Sequence, residues 1–210
     1  MQKIIIFDMD GTLIDSKKDI TVSINHVREI RHNLPPLSEA FVVEAINMEV
    51  RNLPKLFYGT ETYEKPDMIA FESHYEQQCT QSPYLYDGIL EMLERLKDEN
   101  VNLSVATNAP TKFALRMLSS LGVAKHFDEI VGADRVSASK PSPEMITKIL
   151  DVYKYDKSRD MAWMVGDNSK DMLSAKNAGI DALFATWGFT PDAQHHTLLS
   201  HPSDLMKIVL

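Results

Sequence analysis

The feature that most limits what this chain can fold into is a short apolar run, Ile4-Ile5-Ile6-Phe7, that stops abruptly on Asp8-Met9-Asp10-Gly11-Thr12. A half-buried strand alternates apolar and polar residues, whereas an unbroken apolar run needs cover on both faces. That requirement points to a parallel sheet with helices on either side. Asp-Gly is a common turn pair, and strands often end in polar residues. Yet two carboxylates one residue apart repel each other and are costly to desolvate at the end of a buried strand. Their placement calls for a chemical reason, which the rest of the chain has to supply.

Strand and helix alternate through most of the sequence. Residues 87–100 (DGILEMLERLKDEN) carry apolar side chains at 89, 90, 93 and 96, a helical stripe with Asp87 as its cap. A strand is expected over 103–106 and a helix over 111–121, ended by Gly122. A short strand follows at 129–133. The next helix is expected over 143–152, with Ser142 as N-cap and Pro143 at the first position. Residues 161–165 (MAWMV) read as a strand, 169–178 as a helix stopped by Gly179, 182–185 as the last strand and 204–209 as a short terminal helix. This is the pattern of an α/β fold, a Rossmann-like doubly wound parallel sheet, which binds ligands at the carboxyl ends of its strands.

Residues 16–85 break the alternation and show no buried strand. Ile20, Ile24 and Val27 share one helical face, 38–50 reads as a helix capped by Ser38, and 67–78 reads as another after Pro66. The expected organisation is a catalytic core of residues 1–15 and 86–210 with a helical cap domain, 16–85, inserted after the first strand. An insert that enters and leaves beside strand ends would lie over the site those ends form.

Composition narrows the partners. The chain has 210 residues, is 44% hydrophobic and 25% charged, and carries a formal net charge of −8. These are the proportions of an ordinary globular protein, and the acidic balance argues against a nucleic-acid partner. The single cysteine, Cys79, allows no intrachain disulfide, which suits a reducing cytosol. No apolar run is long enough for a signal peptide or a membrane span. A cytoplasmic monomer or homodimer is therefore expected.

The residues after the strands share one chemistry. The first strand is followed by Asp8, Asp10 and Thr12, and the second by Thr107 and Asn108 in VATNAP. Lys140 precedes a helix in SASKPSPE, and Gly166, Asp167, Asn168 and Asp171 follow MAWMV in VGDNSKD. If the strands are parallel, all of these meet at one edge. So many carboxylates crowd together only around a cation, and oxygen ligands with retained waters describe Mg²⁺. Asp167 and Asp171, four apart, would share a helix face. Asp8 and Asp10, two apart, would share one side of an extended chain. With Lys140, Thr107 and Asn108 holding an anion against the metal, the set suits a phosphoryl group. Phosphate monoesters hydrolyse so slowly that an enzyme supplies up to ~10²¹-fold acceleration, enough to justify a costly charge cluster. One aspartate can act as nucleophile and form an aspartyl-phosphate, and a second can serve as general acid and base.

These residues resemble, in order, the motifs of the haloacid dehalogenase-like hydrolases. FDMDGT is similar to the first motif, Thr107-Asn108 to the second, Lys140 in KPSPE to the third, and Gly166-Asp167 with Asp171 to the fourth. The resemblance implies that Asp8 is the nucleophile and a Mg²⁺ ligand, and that Asp10 is the general acid/base and offers its backbone carbonyl to the metal. It implies that Thr107 and Asn108 hold the phosphoryl group, that Lys140 neutralises it and Asp8, that Asp167 binds the metal, and that Asp171 supports it through water. The branch that dehalogenates lacks an aspartate at the Asp10 position, so dehalogenation is not expected. DGTLIDSKKDI, ALFATWGF and HPSDLMKIV are similar to stretches of phosphoglycolate phosphatases. The expected function is therefore a Mg²⁺-dependent phosphatase of a small phosphorylated metabolite, with 2-phosphoglycolate leading. A sugar phosphate, a nucleotide or pyrophosphate is the alternative substrate, and a phosphosugar mutase the alternative reaction. Two departures accompany the resemblance: Ala109 stands where lysine is usual, and residues 46–59 hold no glycine before Gly59.

Other chemistry-bearing residues read more plainly. His195, His196 and His201 lie in a polar stretch without matching cysteine or carboxylate spacing and read as solvated. No GxxxxGK or GxGxxG is present. Trp163 and Trp187 read as strand packing residues, although Trp187-Gly188, ending the last strand, could line the edge of the site; Lys112 and Lys170 read as exposed helix lysines. Arg51 reads as an exposed helix arginine, although it could meet a substrate carboxylate.

Overall fold

The apolar run becomes β1 (Lys3–Phe7), with Ile4, Ile5 and Ile6 fully buried. In the computed structural model, which describes residues 1–48, 51–189 and 197–210, β1 pairs in parallel with both neighbours. These are β4 (Asn102–Ala106) on one side and β6 (Met161–Gly166) on the other. β5 (Glu129–Val131) extends the sheet beyond β4, and β7 (Asp181–Ala185) and β8 (Thr197–Leu199) extend it beyond β6. The six-stranded order is β5-β4-β1-β6-β7-β8, parallel throughout. Alternate β1 residues face opposite ways. Ile4 and Ile6 pack with Met164 against Ile146 and Ile149 of α7 (Glu144–Val152) and Ala175 of α8 (Ser169–Ala178). Phe7 meets Phe127 edge to face, with ring centroids 6.3 Å apart. Helices α5 (Ile89–Asp98), α6 (Thr111–Ser120) and α9 (Asp204–Val209) complete the α/β fold.

The chain divides into two compact units, Met1–Asp15 with Leu85–Leu210, and Ser16–Tyr84. The second is helical: α1 (Lys17–His32), α2 (Glu39–Asn47), α3 (Leu53–Tyr58) and α4 (Lys65–Gln78). Ile24 and Val27 of α1 pack with Val42, Ala45, Phe57 and Tyr58. Buried Asp67 of α4 accepts hydrogen bonds from Arg31 and His32 at the end of α1. Buried Asp19 accepts from the Gln78 amide and the Ser82 N–H. A short two-stranded sheet pairs β2 (Ile14–Asp15) with β3 (Tyr84–Leu85).

Several boundaries differ from the expectation. α3 is an additional helix: the Asn52 side chain accepts the Lys55 N–H at its start, a proline sits in its first turn, and Gly59 at φ +77° ends it. The helix expected over 38–50 does begin after Ser38, whose hydroxyl accepts the Phe41 N–H, but ends at Asn47; Glu49 and Val50 lie outside the described residues. α4 begins before Pro66, because proline is tolerated in a first turn where the N–H has no partner. Gly88, at φ +82°, rather than Asp87 occupies the cap of α5, and Pro143 rather than Ser142 occupies that of α7. β8 follows the strand expected to be last. It is three residues long, too short for a periodicity to show.

Candidate active site

Because the strands are parallel, the chain leaves β1, β4, β6 and β7 at one edge of the sheet. The Asp8 N–H continues the ladder by donating to Val165 O at 2.8 Å. The chain then turns at once: Met9 O accepts N–H bonds from Thr12, Leu13 and Ile14. Gly11 makes that turn at φ +87°, and a Cβ there would lie 2.4 Å from an Asp167 carboxylate oxygen. Both the backbone conformation and the close approach therefore require glycine.

Lys140 stands at the centre of the charge cluster. Its Nζ lies 2.7 Å from Asp8 Oδ1 and 2.6 Å from Asp171 Oδ1, with the lysine side chain only 2% exposed. Asp171 Oδ2 accepts the Asn168 N–H at 3.1 Å, half of a reciprocal capping box at the start of α8. Asp167 Oδ1 accepts the Thr12 hydroxyl at 3.1 Å, and its Oδ2 accepts the Phe189 N–H at 2.7 Å. Asp8, Asp167 and Asp171 can each bring one carboxylate oxygen within 4.8 Å of the others.

Asn108 and Lys140 are locked together. The Asn108 amide donates to Lys140 O at 3.1 Å, and its carbonyl accepts the Lys140 N–H at 3.0 Å. Thr107 Oγ1 accepts the Ala109 N–H at 3.1 Å. The loop before Lys140 is held by Glu144, which accepts the Ser137 and Ala138 N–H groups and the Ser137 hydroxyl. Asp134 accepts the N–H and hydroxyl of Thr111, pinning the start of α6 behind Asn108.

The electrostatics follow from this crowding. Burial, then the charges of Asp8 and Asp171, push the Asp167 carboxyl up to about 8 despite its bonds from Phe189 and Thr12. Burial and Asp8 push Asp171 up to about 6, with Lys140 opposing them. Burial opposes the charge on Lys140, but Asp171 and Asp8 outweigh it and hold the ammonium above its ordinary value. Among the described residues, the Lys140 ammonium pairs with two of the three converging carboxylates, Asp8 and Asp171, and the donors to Asp167, the Thr12 hydroxyl and the Phe189 N–H, are neutral. Hard oxygen donors with a surplus of negative charge fit a divalent cation of the Mg²⁺ kind.

The structure therefore gathers Asp8, Lys140, Asp167 and Asp171, with Asn108 and Thr107 on the adjoining loop. The Asp10 carboxylate is not one of the converging three. The extended geometry that would align it with Asp8 stops at Phe7, and Asp10 instead bridges to Ile14 in the turn. Sequence reasoning placed Trp187-Gly188 at the end of the last strand, where the pair could line the edge of the site, and missed Phe189. Trp187 lies beyond the end of β7, not in a strand, and its indole N–H donates to Thr12 O at 2.9 Å. The available signal was WGF directly after an apolar strand, the same position that marked the other loops. Asp134 and Glu144 carried no comparable signal. Arg51 precedes α3 and donates to the carbonyls of Ile46 and Met48, so it is not an exposed helix arginine. His201 pairs with the Ser203 hydroxyl, while His195 and His196 lie outside the described residues.

Comparison with known proteins finds relatives over nearly the whole chain. The chain is 28% identical over 217 residues to the N-acetylmuramic acid 6-phosphate phosphatase of Pseudomonas aeruginosa, covering 99% of this chain and 94% of that protein. It is 29% identical to the phosphoglycolate phosphatase of Aquifex aeolicus, covering 99% and 96%. A crystal structure from Haemophilus somnus 129pt, described as a predicted phosphoglycolate phosphatase, superimposes with a TM-score of 0.84 at 25% identity, covering 100% of this chain and 98% of that one. The family model of the haloacid dehalogenase-like hydrolases matches residues 5–185, a span that contains every charged group of the cluster, and the chain belongs to that family.

Proposed function

We propose that this hydrolase is a Mg²⁺-dependent phosphatase that removes the phosphoryl group of a small phosphorylated metabolite through an aspartyl-phosphate on Asp8. One observation supports this reading above the others: the Lys140 ammonium bridges Asp8 and Asp171, beside Asp167, at the strand ends. Lys140 and the Met9 N–H both take Asp8 Oδ1, which leaves Oδ2 to attack phosphorus. As the Asp8–phosphorus bond forms, the bond to the leaving oxygen breaks, and Asp10 as general acid gives that oxygen its proton. Water then attacks the phosphorus, Asp10 takes a proton from it, and Asp8 leaves as carboxylate. Lys140 stabilises the charge on Asp8 and on the phosphoryl oxygens. The Thr107 hydroxyl accepts from Ala109 and keeps its proton to donate to one of those oxygens. Asn108 holds the main chain of Lys140 in place. Asp8, Asp167 and the Asp10 carbonyl, supported by Asp171, would hold Mg²⁺, whose charge stabilises the transferring phosphoryl group.

The leading substrate is 2-phosphoglycolate, the activity for which the Aquifex aeolicus relative is named. N-acetylmuramic acid 6-phosphate is the second candidate, because the relative named for it aligns over nearly the whole chain. Both are phosphoric monoesters that carry a carboxylate. Selection among such substrates is assigned to the helical unit, Ser16–Tyr84. The test is phosphate release with Mg²⁺ from a panel: 2-phosphoglycolate, N-acetylmuramic acid 6-phosphate, sugar phosphates, nucleotides and pyrophosphate, with Asp8→Asn protein as the blank. A sharp preference for either carboxylated monoester supports the substrate reading. Broad, weak release retains the phosphatase and removes that specificity. No release from any compound, with conversion of a phosphosugar to its isomer, would replace the phosphatase by a mutase.

A further inference from the structure

We propose that Trp187 is a positioning residue for the metal site: with Gly188 and Phe189 it forms a clip that fixes the orientation of the Asp167 carboxylate. The inference rests on the reading of Asp167 as a metal ligand. It begins from a closed ring of contacts among three loops. The Trp187 indole N–H donates to Thr12 O at 2.9 Å, the Thr12 hydroxyl donates to Asp167 Oδ1 at 3.1 Å, and Asp167 Oδ2 accepts the Phe189 N–H at 2.7 Å. Covalent chain from Trp187 to Phe189 closes the ring. Each Asp167 oxygen thus has one fixed donor, and each keeps further lone-pair capacity for a cation.

The packing shows how tightly the ring is drawn. A Cβ on Gly188 would lie 2.2 Å from Gly11 O and 2.4 Å from Asp167 Cβ. The loops after β1 and β7 therefore meet backbone to backbone against the side chain of Asp167, after β6, which is itself 2% exposed. A carboxylate held only by its own rotamer preferences would rotate away from two neighbouring carboxylates that repel it. The clip holds it toward them, in the geometry that a cation then neutralises. Replacing a group that orients a metal's ligand typically costs about 10–100-fold in metal affinity.

The test measures metal binding by the metal-free protein, without substrate. Mg²⁺ affinity is read by calorimetry and Mn²⁺ affinity from the electron paramagnetic resonance signal of the free ion, for wild type, Trp187→Phe, Gly188→Ala and Asp167→Asn. Trp187→Phe keeps an aromatic ring and loses the N–H, and its dissociation constants are expected to rise roughly ten-fold. Gly188→Ala is expected to weaken binding at least as much, and it carries the test alone if Trp187→Phe does not fold. Unchanged affinity in both variants, with only a lower Tm, would make the segment a packing feature and overturn the proposal. Asp167→Asn separates the two layers. If it binds both metals like wild type, the metal-site reading fails and the clip falls with it. If it loses binding while Trp187→Phe and Gly188→Ala keep theirs, the metal site stands and the clip alone is refuted.

Discussion

Replacing Lys140 by methionine isolates what the buried ammonium contributes. Its Nζ sits 2.7 Å from Asp8 and 2.6 Å from Asp171, and the side chains of Lys140 and Asp171 are 2% and 1% exposed. Methionine fills a similar volume but leaves three converging carboxylates without a cation. Removing one partner of a buried ion pair costs about 3–5 kcal/mol, because the carboxylates left behind either stay charged and desolvated or take up protons that the unfolded chain does not bind at neutral pH. Chains of this size lose about 2–4 °C of Tm per kcal/mol, so the expected fall is roughly 6–20 °C in the metal-free protein. The assay is thermal unfolding followed by circular dichroism at neutral pH in excess chelator. The double variant Lys140→Met, Asp171→Asn removes a carboxylate together with its partner. It is expected to be more stable than the sum of the two single effects by at least about 1 kcal/mol. A fall below about 3 °C for Lys140→Met, or strict additivity in the double variant, would refute the argument that these groups form one coupled charge cluster.

Three further outcomes are expected. Asp8→Asn should lower turnover by at least ~10³-fold while far-ultraviolet circular dichroism stays unchanged, because the nucleophile is lost and the fold is not; turnover within ten-fold of wild type would exclude the covalent route. Mg²⁺ at ten times its dissociation constant should stabilise the chelator-treated protein by about 1.4 kcal/mol, raising Tm by roughly 3–6 °C; no shift at millimolar Mg²⁺ would count against a resident metal. The third concerns His74, which stacks on His26 with ring centroids 4.1 Å apart and pairs with the Ser23 hydroxyl. Burial, then the His26 charge, lowers the His74 pKa below its ordinary 6.5. The unfolded chain therefore takes up the proton first, and stability is lost as pH falls below about 6.5. His74→Gln should flatten the fall in Tm as the pH drops below about 6.5; an unaltered acid limb would assign that loss to other groups.

The parts of this protein legible in the sequence are those set by local rules. Ile4 to Phe7 needed cover on both faces, and β1 lies inside the sheet between two parallel neighbours. Gly122 and Gly179 follow α6 and α8 at φ +74°, the conformation that ends a helix. Asp8, Lys140, Asp167 and Asp171 could be grouped because a parallel sheet brings every carboxyl end to one edge, whatever the separation along the chain. Short or cap-dependent elements were less legible. α3 rests on one asparagine, one proline and one glycine, and β8 on three residues, so neither is long enough for its pattern to complete a second period.

What the sequence determined by itself was the class of fold and the residue types that meet at the strand ends, since both follow from periodicity and topology. Only the tertiary structure decided the pairings within that edge. It left the Asp10 carboxylate outside the converging three, tied the Asn108 amide to the main chain of Lys140, and drew Trp187 and Phe189 onto Thr12 and Asp167. These depend on ångström-scale approach between loops far apart in the chain, such as Gly188 against Gly11. A one-dimensional pattern carries no such distances: side-chain spacing along a strand says which residues reach the edge, while packing between strands settles which of them touch.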